Sequence, residues 1–393
     1  MTKFVNIKGA RMAWLTASEA MATLGVKPQT LYAYVSRRRV KAKPDPRDSR
    51  RSLYDAEDVR RLARQRAPGH RRVALAENAI AWGEPVLPSA ISTVIDGRLI
   101  YRGRDACALA ASATLEEIAT LLWNAGVPDF GRSDRGAAPG RTDARRAAFD
   151  FLAARAAADE PVYGRGAAAL GRDAAELMAG MTQVFAGRSG GKAPIHARLA
   201  ATWRLGDKAA DALRVALVLL ADHELNASTF AARVAASTGA SLPACALAGL
   251  AALSGPLHGG AAAALDALLQ DAARLGAERA ARQWLDLGRA IPGFGHALYP
   301  LGDPRAAVLL ARVAPTAPLA ALRAAAERLI GEPPNIDFAL AALVARWRLP
   351  PDAPFVIFAL ARLAGWLAHA IEQATTGRLI RPRARYIGPA PAP

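Results

Sequence analysis

The chain has 393 residues, of which 52% are hydrophobic and only 6% aromatic, and it carries a net charge of +17. That length allows two or three domains with a large buried core, and the dominance of Ala and Leu over Val, Ile and Thr favours helix over strand. The longest apolar runs, such as Leu242–Leu253, are about 12 residues where a membrane span needs roughly 20. Residues 1–10 lack the apolar core of a secretory leader, and Cys107 and Cys245 show neither metal spacing nor a disulfide framework. The expectation is therefore a mainly α, cytoplasmic protein with reduced thiols, no metal and no membrane.

Charge is concentrated at the front. Residues 1–72 hold 18 Lys or Arg and 6 Asp or Glu, a net of +12, and the remaining 321 residues carry +5. Such asymmetry points the first segment at a polyanion. Thr16-Ala17-Ser18-Glu19 reads as a capping box opening a helix that Gly25 ends. Pro28 opens a second helix, to Arg37, where its missing N–H costs little, with Leu31, Tyr32 and Val35 turned inward. A basic, Pro-broken stretch follows over residues 41–51, and then a third helix over Ala56–Gln65. Helix, turn, helix, basic hairpin, helix resembles the MerR-like winged helix-turn-helix class, whose end motif is matched by Arg51-Ser52-Leu53-Tyr54-Asp55-Ala56-Glu57-Asp58-Val59. That resemblance implies a second helix in the major groove of double-stranded DNA, with Gln29, Thr30, Tyr32 and Tyr34 facing the bases. Lys41, Lys43, Arg47, Arg50 and Arg51 would hold phosphates.

From about Pro85 the pattern changes. Pro85–Gly103 is rich in β-branched residues around Asp96-Gly97, a small hairpin. Helices follow nearly to the end, apart from a Gly/Pro/Arg loop over 131–141. Five segments place ionisable residues in apolar surroundings. Asp222-His223-Glu224-Leu225-Asn226 interrupts the apolar run Val215–Leu220. His258 is framed by Gly255, Pro256, Gly259 and Gly260 on a tight turn, where glycine lets backbone approach a ligand. His296 follows Gly293 and Gly295, and Asp303 and Pro304 then open a helix that puts Arg305 at an anion-favouring N-terminus. Asn335 caps a helix with Asp337 in its first turn. Arg362 lies in Phe355–Ile371, where a guanidinium needs a tertiary partner or a ligand. Arg381-Pro382-Arg383 closes the chain in a basic tail.

In order and spacing, His223, Gly255-Pro256-Leu257-His258-Gly259-Gly260-Ala261, the run from Pro292 through His296, Tyr299 and Asp303-Pro304-Arg305, the Asn335-Ile336-Asp337-Phe338 helix start and Arg381-Pro382-Arg383 resemble the citrate synthase family. The match covers roughly residues 85–388 and is strongest from 221 onward. It implies a citrate synthase-like two-domain all-α fold with a small β-hairpin. On that reading residues 1–68 are the winged module, 69–84 a linker, 85–259 with 346–393 the large domain, and 260–345 the small domain. The resemblance further implies a homodimer. Its catalytic trio maps onto His258, His296 and Asp337, and its dicarboxylate-binding residues onto His223, Arg305, Arg362 and Arg381, the last reaching the neighbouring subunit.

The chemistry agrees with the residue types. Joining a thioester methyl to a keto acid needs a carboxylate base and donors on two carbonyl oxygens. Arginines pair bidentately with a dianion and keep their charge. The expected partners are oxaloacetate and an acyl-CoA, which is a substrate, so no cofactor is required. The product would be citrate or methylcitrate. One departure is Pro300, where many relatives carry a cation for the CoA phosphates. The alternative is a DNA-binding regulator with a synthase-like body as metabolite sensor.

Overall fold

The computed structural model describes residues 14–36, 39–46, 48–66, 87–126, 129–130, 143–187, 193–384 and 386–389. The chain divides into two compact units, Met1–Pro88 and Ser89–Pro393. The linker expected over 69–84 and the loop expected over 131–141 lie outside the described residues.

In the first unit, β1 (Trp14–Thr16) leads into α1 (Ala17–Leu24), followed by α2 (Pro28–Ser36), β2 (Ala42–Asp45), β3 (Asp48–Asp55) and α3 (Ala56–Arg66). The capping box forms as expected: Thr16 N donates to Glu19 Oε2 at 2.8 Å, and Glu19 N donates to Thr16 Oγ1 at 3.3 Å. Gly25 ends α1 with a left-handed φ of 60°, a conformation that favours glycine. β3 is the central strand of an antiparallel sheet ordered β1-β3-β2. Asp55 accepts the Glu57 and Asp58 amides and so starts α3, while Asp58 Oδ2 accepts the Lys41 amide and ties the hairpin to that helix. Ala20, Leu24, Leu31, Val40, Tyr54, Val59 and Leu62 form the core of this unit.

The second unit begins with an antiparallel sheet, β4 (Ser92–Ile95), β5 (Arg98–Tyr101) and β6 (Arg104–Asp105), with Asp96-Gly97 at the first turn. Then come α4 (Ala106–Leu109), α5 (Leu115–Trp123), α6 (Ala144–Ala158), α7 (Ala167–Ala186), α8 (Ile195–Thr202), α9 (Asp207–Leu220), α10 (Ala227–Ser237) and α11 (Leu242–Leu253). They are followed by α12 (Ala261–Leu275), α13 (Ala277–Asp286), α14 (Pro304–Leu310), α15 (Ala317–Ile330), α16 (Ile336–Trp347) and α17 (Ala353–Thr376).

α17 organises this unit. It packs on α5, α7, α9, α10 and α11 and is buried on every face from Ala359 to Ile371, which is why its sequence is apolar all round. By length and composition it could cross a membrane, yet here it is the axis of the core. Gly249 on α11 permits a close packing there, since a Cβ would lie 2.8 Å from the Trp366 ring. The α17 backbone is also tied at Ala364, whose carbonyl accepts Trp123 Nε1 at 2.9 Å.

Candidate active site

The end of α9 is where the first site residue emerges. Tyr101 on β5 points its hydroxyl at that end, within hydrogen-bond reach of the Val218, Leu219 and Asp222 carbonyls and of the Asp222 amide. His223 follows, buried, with Nε2 2.9 Å from Tyr299 Oη. Burial and the nearby Arg305 and Arg362 charges hold its imidazole well below its usual pKa, so the ring is neutral at pH 7.

The segment carrying His296 and the segment carrying Asp337 are joined by backbone. Gly295 N donates to Pro333 O at 3.0 Å, and Asn335 N donates to Gly293 O at 2.9 Å. Gly293 and Gly295 take left-handed φ values of 86° and 67° to make this turn. Asn335 then works at both ends of its side chain. Its Oδ1 accepts the Asp337 amide at 3.0 Å and caps α16, and its Nδ2 donates to Gly295 O at 2.9 Å. The cap expected from sequence is therefore also the rivet that fastens the turn before His296 to the helix start that carries Asp337. His296 Nδ1 accepts the Leu298 amide at 3.1 Å, which leaves the proton of the neutral ring on Nε2. Burial and Arg305 lower the pKa of His296. Burial raises that of the half-buried Asp337, while Arg305 and Arg362 oppose the rise.

Tyr299, for which the sequence predicts no role, sits among the site rings. It is 2% exposed, with ring centroids 4.9 Å from His296 and 5.6 Å from His223; the two imidazoles are 5.2 Å apart at 86°. Burial raises its pKa, keeping the phenol protonated. Arg305 Cζ stands 5.1 Å from its centroid, within cation–π range.

Arg305 differs from the expectation in one respect. The helix start alone suggested a guanidinium facing an anion, but Asp303 already holds Nε and Nη2 at 2.9 and 2.8 Å. Both side chains are buried, and Asp303 Oδ2 also accepts the Ile336 amide at 3.0 Å. A carboxylate two residues away on a helix cap can fold back on the guanidinium, so a bidentate pair forms, and Nη1 has no hydrogen bond among the described residues. Arg362, 2% exposed, donates Nε to Leu220 O at 2.9 Å. Its terminal nitrogens have no hydrogen-bond partner among the described residues. Arg362 acts electrostatically on His223, His258 and Asp337 alike, which makes it the common charge of the cluster.

His258 sits on the turn before α12, where Cβ atoms at Gly259 and Gly260 would collide with the Leu253 and Pro256 carbonyl oxygens. Its Nε2 is 2.8 Å from Ser228 Oγ. That hydroxyl also accepts Trp366 Nε1 at 3.1 Å and lies 2.7 Å from Asn226 Oδ1. Ser228 has one proton, so it can donate either to Asn226 or to His258, and the choice sets the tautomer of His258. Arg381 is exposed on the tail after α17 and is not joined to the cluster by a hydrogen bond among the described residues. Pro300 is exposed beside Leu301, which is 99% exposed.

A buried polar network that the sequence reading missed runs behind His223. Arg233 donates from Nη1 to Glu372 Oε2 at 2.7 Å and from Nε to Gln373 Oε1 at 3.0 Å, and the same Nη1 lies 3.3 Å from His369 Nδ1. An arginine only donates, so His369 Nδ1 accepts and its Nε2–H donates to Asp222 Oδ2 at 3.2 Å. Asp222 stands out in sequence beside an apolar run, and His369 lies within the apolar run Phe355–Ile371, but their pairing across 147 residues leaves no sequence signal.

In the first unit, Gln29 and Tyr32 on α2 are exposed and Thr30 partly so. Tyr32, expected both on the inner face and toward the bases, is 62% exposed, which fits only the second expectation, whereas Tyr34, expected to face bases, packs against the core. The helical period explains the difference: Leu31, Tyr34 and Val35 share a face and Tyr32 does not. Lys41, Lys43 and Arg51 are exposed; Lys43 Nζ lies 4.1 Å from the Trp14 ring centroid, and Arg51 Nε is 3.2 Å from Asp48. Arg47 lies outside the described residues, and for Arg50 only the backbone, in β3, is described.

The profile of the citrate synthase C-terminal domain matches residues 80–383. The chain belongs to the citrate synthase family. It is 40% identical over 191 residues to a citrate synthase of Haloferax volcanii, a match covering 46% of this chain and 50% of that protein. It is 39% identical over 191 residues to a 2-methylcitrate synthase of Shewanella oneidensis, covering 45% and 50%. The chain thus spans about half the length of the curated relatives it matches. Among solved structures, citrate synthase from Thermotoga maritima superposes with a TM-score of 0.65 at 27% identity, over 79% of this chain and 96% of that one. The Thermoplasma acidophilum citrate synthase in ternary complex with carboxymethyl coenzyme A and oxaloacetate gives a TM-score of 0.65 at 25% identity, over 79% and 95%.

Proposed function

We propose that this chain condenses a short acyl-CoA, acetyl-CoA first, with oxaloacetate to give citrate, or methylcitrate from the propionyl thioester, and free CoA. The observation that most supports this is the Asn335 junction, where one side chain caps the helix of Asp337 and fastens the turn of His296. A carboxylate base and an imidazole donor are thereby joined through one stretch of bonded backbone, with the buried Arg305 charge acting on both and that of Arg362 on the carboxylate.

Asp337 removes a proton from the carbon next to the thioester, and the electron pair moves onto the carbonyl oxygen. An N–H of His258 holds that enol(ate). When Ser228 donates to Nε2 of His258, the proton of the neutral ring is on Nδ1, which supplies the N–H. The enol carbon attacks the keto carbon of oxaloacetate, whose oxygen takes the Nε2 proton of His296, and the proton held by Asp337 returns through water to Nε2 of His296. Water then cleaves the thioester, releasing the CoA thiol and a new carboxylate. His223, Nη1 of Arg305 and the terminal nitrogens of Arg362 receive the dicarboxylate. Arg381, on its exposed tail, reaches the site of a second subunit in a homodimer. Residues 260–345 form the small domain that closes over residues 85–259 and 346–393 and excludes water. Acyl-CoA enters as substrate, and no cofactor takes part. Because Pro300 offers no cation, the CoA phosphates meet basic residues elsewhere.

The test is release of free thiol from acetyl- and propionyl-CoA in the presence of oxaloacetate. We expect turnover, and a loss of about 10²–10⁴-fold in Asp337→Asn with thermal unfolding intact. No thiol release from any short acyl-CoA defeats the reading.

A second reading concerns the first unit. Its order of helix, turn, helix, antiparallel hairpin and helix, with exposed Gln29 and Tyr32 on the second helix and exposed Lys41, Lys43 and Arg51 on the hairpin, supports a winged helix-turn-helix that binds double-stranded DNA. The body would then also serve as sensor of oxaloacetate or acyl-CoA. A gel shift of the full chain on the promoter DNA of its own operon, with and without oxaloacetate, decides; no salt-dependent shift removes this reading.

A further inference from the structure

His223 stands between two acidic residues that the condensation does not use, and both are gripped by the hairpin. Glu224 has a φ of +52°, a left-handed conformation that strains an L side chain and persists only where the surroundings enforce it. The enforcement comes from β4. Glu224 N donates to Ser92 Oγ at 3.0 Å, Ser92 Oγ donates to Asp222 Oδ2, and Val94 N donates to Glu224 Oε1. One strand thus holds the residue before His223 and the residue after it. The same Asp222 oxygen also accepts His369 Nε2 at 3.2 Å, and the His223 carbonyl accepts Asn226 Nδ2 at 3.3 Å. With the backbone pinned on both flanks, the ring has its fixed aim at Tyr299.

We propose that Ser92 and Glu224 are positioning residues: they maintain the strained turn that presents His223 to the dicarboxylate. Neither touches the reacting atoms. Ser92 carries the larger share, because its hydroxyl uses its one proton on Asp222 and a lone pair on the Glu224 amide, joining the two flanks through a single oxygen. The kinetic arm of this inference rests on the condensation reading; the spectroscopic arm does not.

In the kinetic arm, Ser92→Ala leaves the Glu224 amide and Asp222 Oδ2 short of a partner. It should raise KM for oxaloacetate about tenfold with kcat changed less than about twofold. Ser92→Thr, which keeps the hydroxyl, should restore the wild-type KM. Glu224→Ala should act like Ser92→Ala, and Glu224→Gln, which keeps an acceptor for Val94 N, should not. A Ser92→Ala enzyme whose KM is unchanged, or whose kcat and KM effects merely follow a lower melting temperature, overturns the proposal. In the spectroscopic arm, the full chain is labelled with ¹⁵N-histidine, and the His223 ring is assigned among its 6 histidines by its loss in His223→Asn. Without substrate, Ser92→Ala and Glu224→Ala should shift or broaden the His223 ring signals. Identical signals in both variants overturn the clamp even if the wild type turns over. If the wild type releases no thiol, the condensation reading falls, and the His223 spectrum alone decides the clamp.

Discussion

On the proposed condensation, Asp337 must be ionised to accept a proton, yet its surroundings resist ionisation. Burial raises its pKa, and the guanidiniums of Arg305 and Arg362 only partly reverse that. The limb of kcat/KM that reports the base should therefore rise through a midpoint above the ordinary aspartate value of about 3.9. His223, His258 and His296 are all pushed below their usual value, chiefly by burial. Over the pH range where Asp337 is ionised and the rings stay neutral, no falling limb from histidine deprotonation near 6.5 is expected. The same shift has a stability sign. A folded-state acid with a raised pKa binds its proton more tightly than the unfolded chain does, so its ionisation costs nothing below the unfolded value. The cost grows as pH rises through that value and is complete above the folded one. Asp337→Asn should consequently be at least as stable as the wild type at pH 7 and lose that advantage in acid, read by denaturant melts across pH. A variant that is inactive and clearly less stable at pH 7 would contradict it.

Among the elements, α17 has the most demanding packing, because it must pass a backbone, a carboxylate and a guanidinium at one level. Gly365 is the point of closest approach: its amide donates to Ala221 O at 3.0 Å, and a Cβ there would collide with that oxygen and with Asp222 Oδ1. Alanine is the better helix former, worth about 1 kcal/mol on propensity alone. Here the collision should win, and Gly365→Ala should destabilise by about 1–3 kcal/mol, measured by chemical denaturation. Stabilisation would mean that the α9 end gives way freely. Much at this scale was legible beforehand. The Thr16–Glu19 box, the Asp96-Gly97 hairpin, the Asp303 and Asn335 caps and the glycine turns before His296 all form where local chemistry put them, since each depends on residues within a few positions. The Asp303–Arg305 pair was in reach of the same reasoning and was passed over because a helix N-terminus alone suggested an open anion site. Tyr34 turned inward and Tyr32 outward because a nine-residue helix tolerates more than one choice of apolar stripe until the core it meets is known.

For the whole molecule, the division at Pro88 separates two units of different charge. The +12 of residues 1–72 against +5 for the rest makes salt the natural probe. If the first unit docks on duplex DNA, log affinity should fall linearly with log salt, with a slope near −0.9 per phosphate contact. Replacing Lys41 or Lys43 by Ala should reduce that slope by about 1 each and weaken all sequences alike. Gln29→Ala should instead alter preference among sequences at nearly constant slope. A slope that ignores these lysines would assign the charge to something other than a phosphate grip.

Taken alone, the sequence determined the helical class, the front-loaded charge, the caps and hairpins, and which imidazoles, guanidiniums and carboxylates stood out from apolar runs. These follow from composition and from interactions within one turn of chain. Only the tertiary structure decided which of those groups meet: Tyr299 with His223, Ser228 with His258, and Asp222 with both Ser92 and His369. A hydrogen bond between residues 130 or 147 positions apart leaves no periodic trace, because its geometry is set by how whole helices pack and not by the spacing of residues along any one of them.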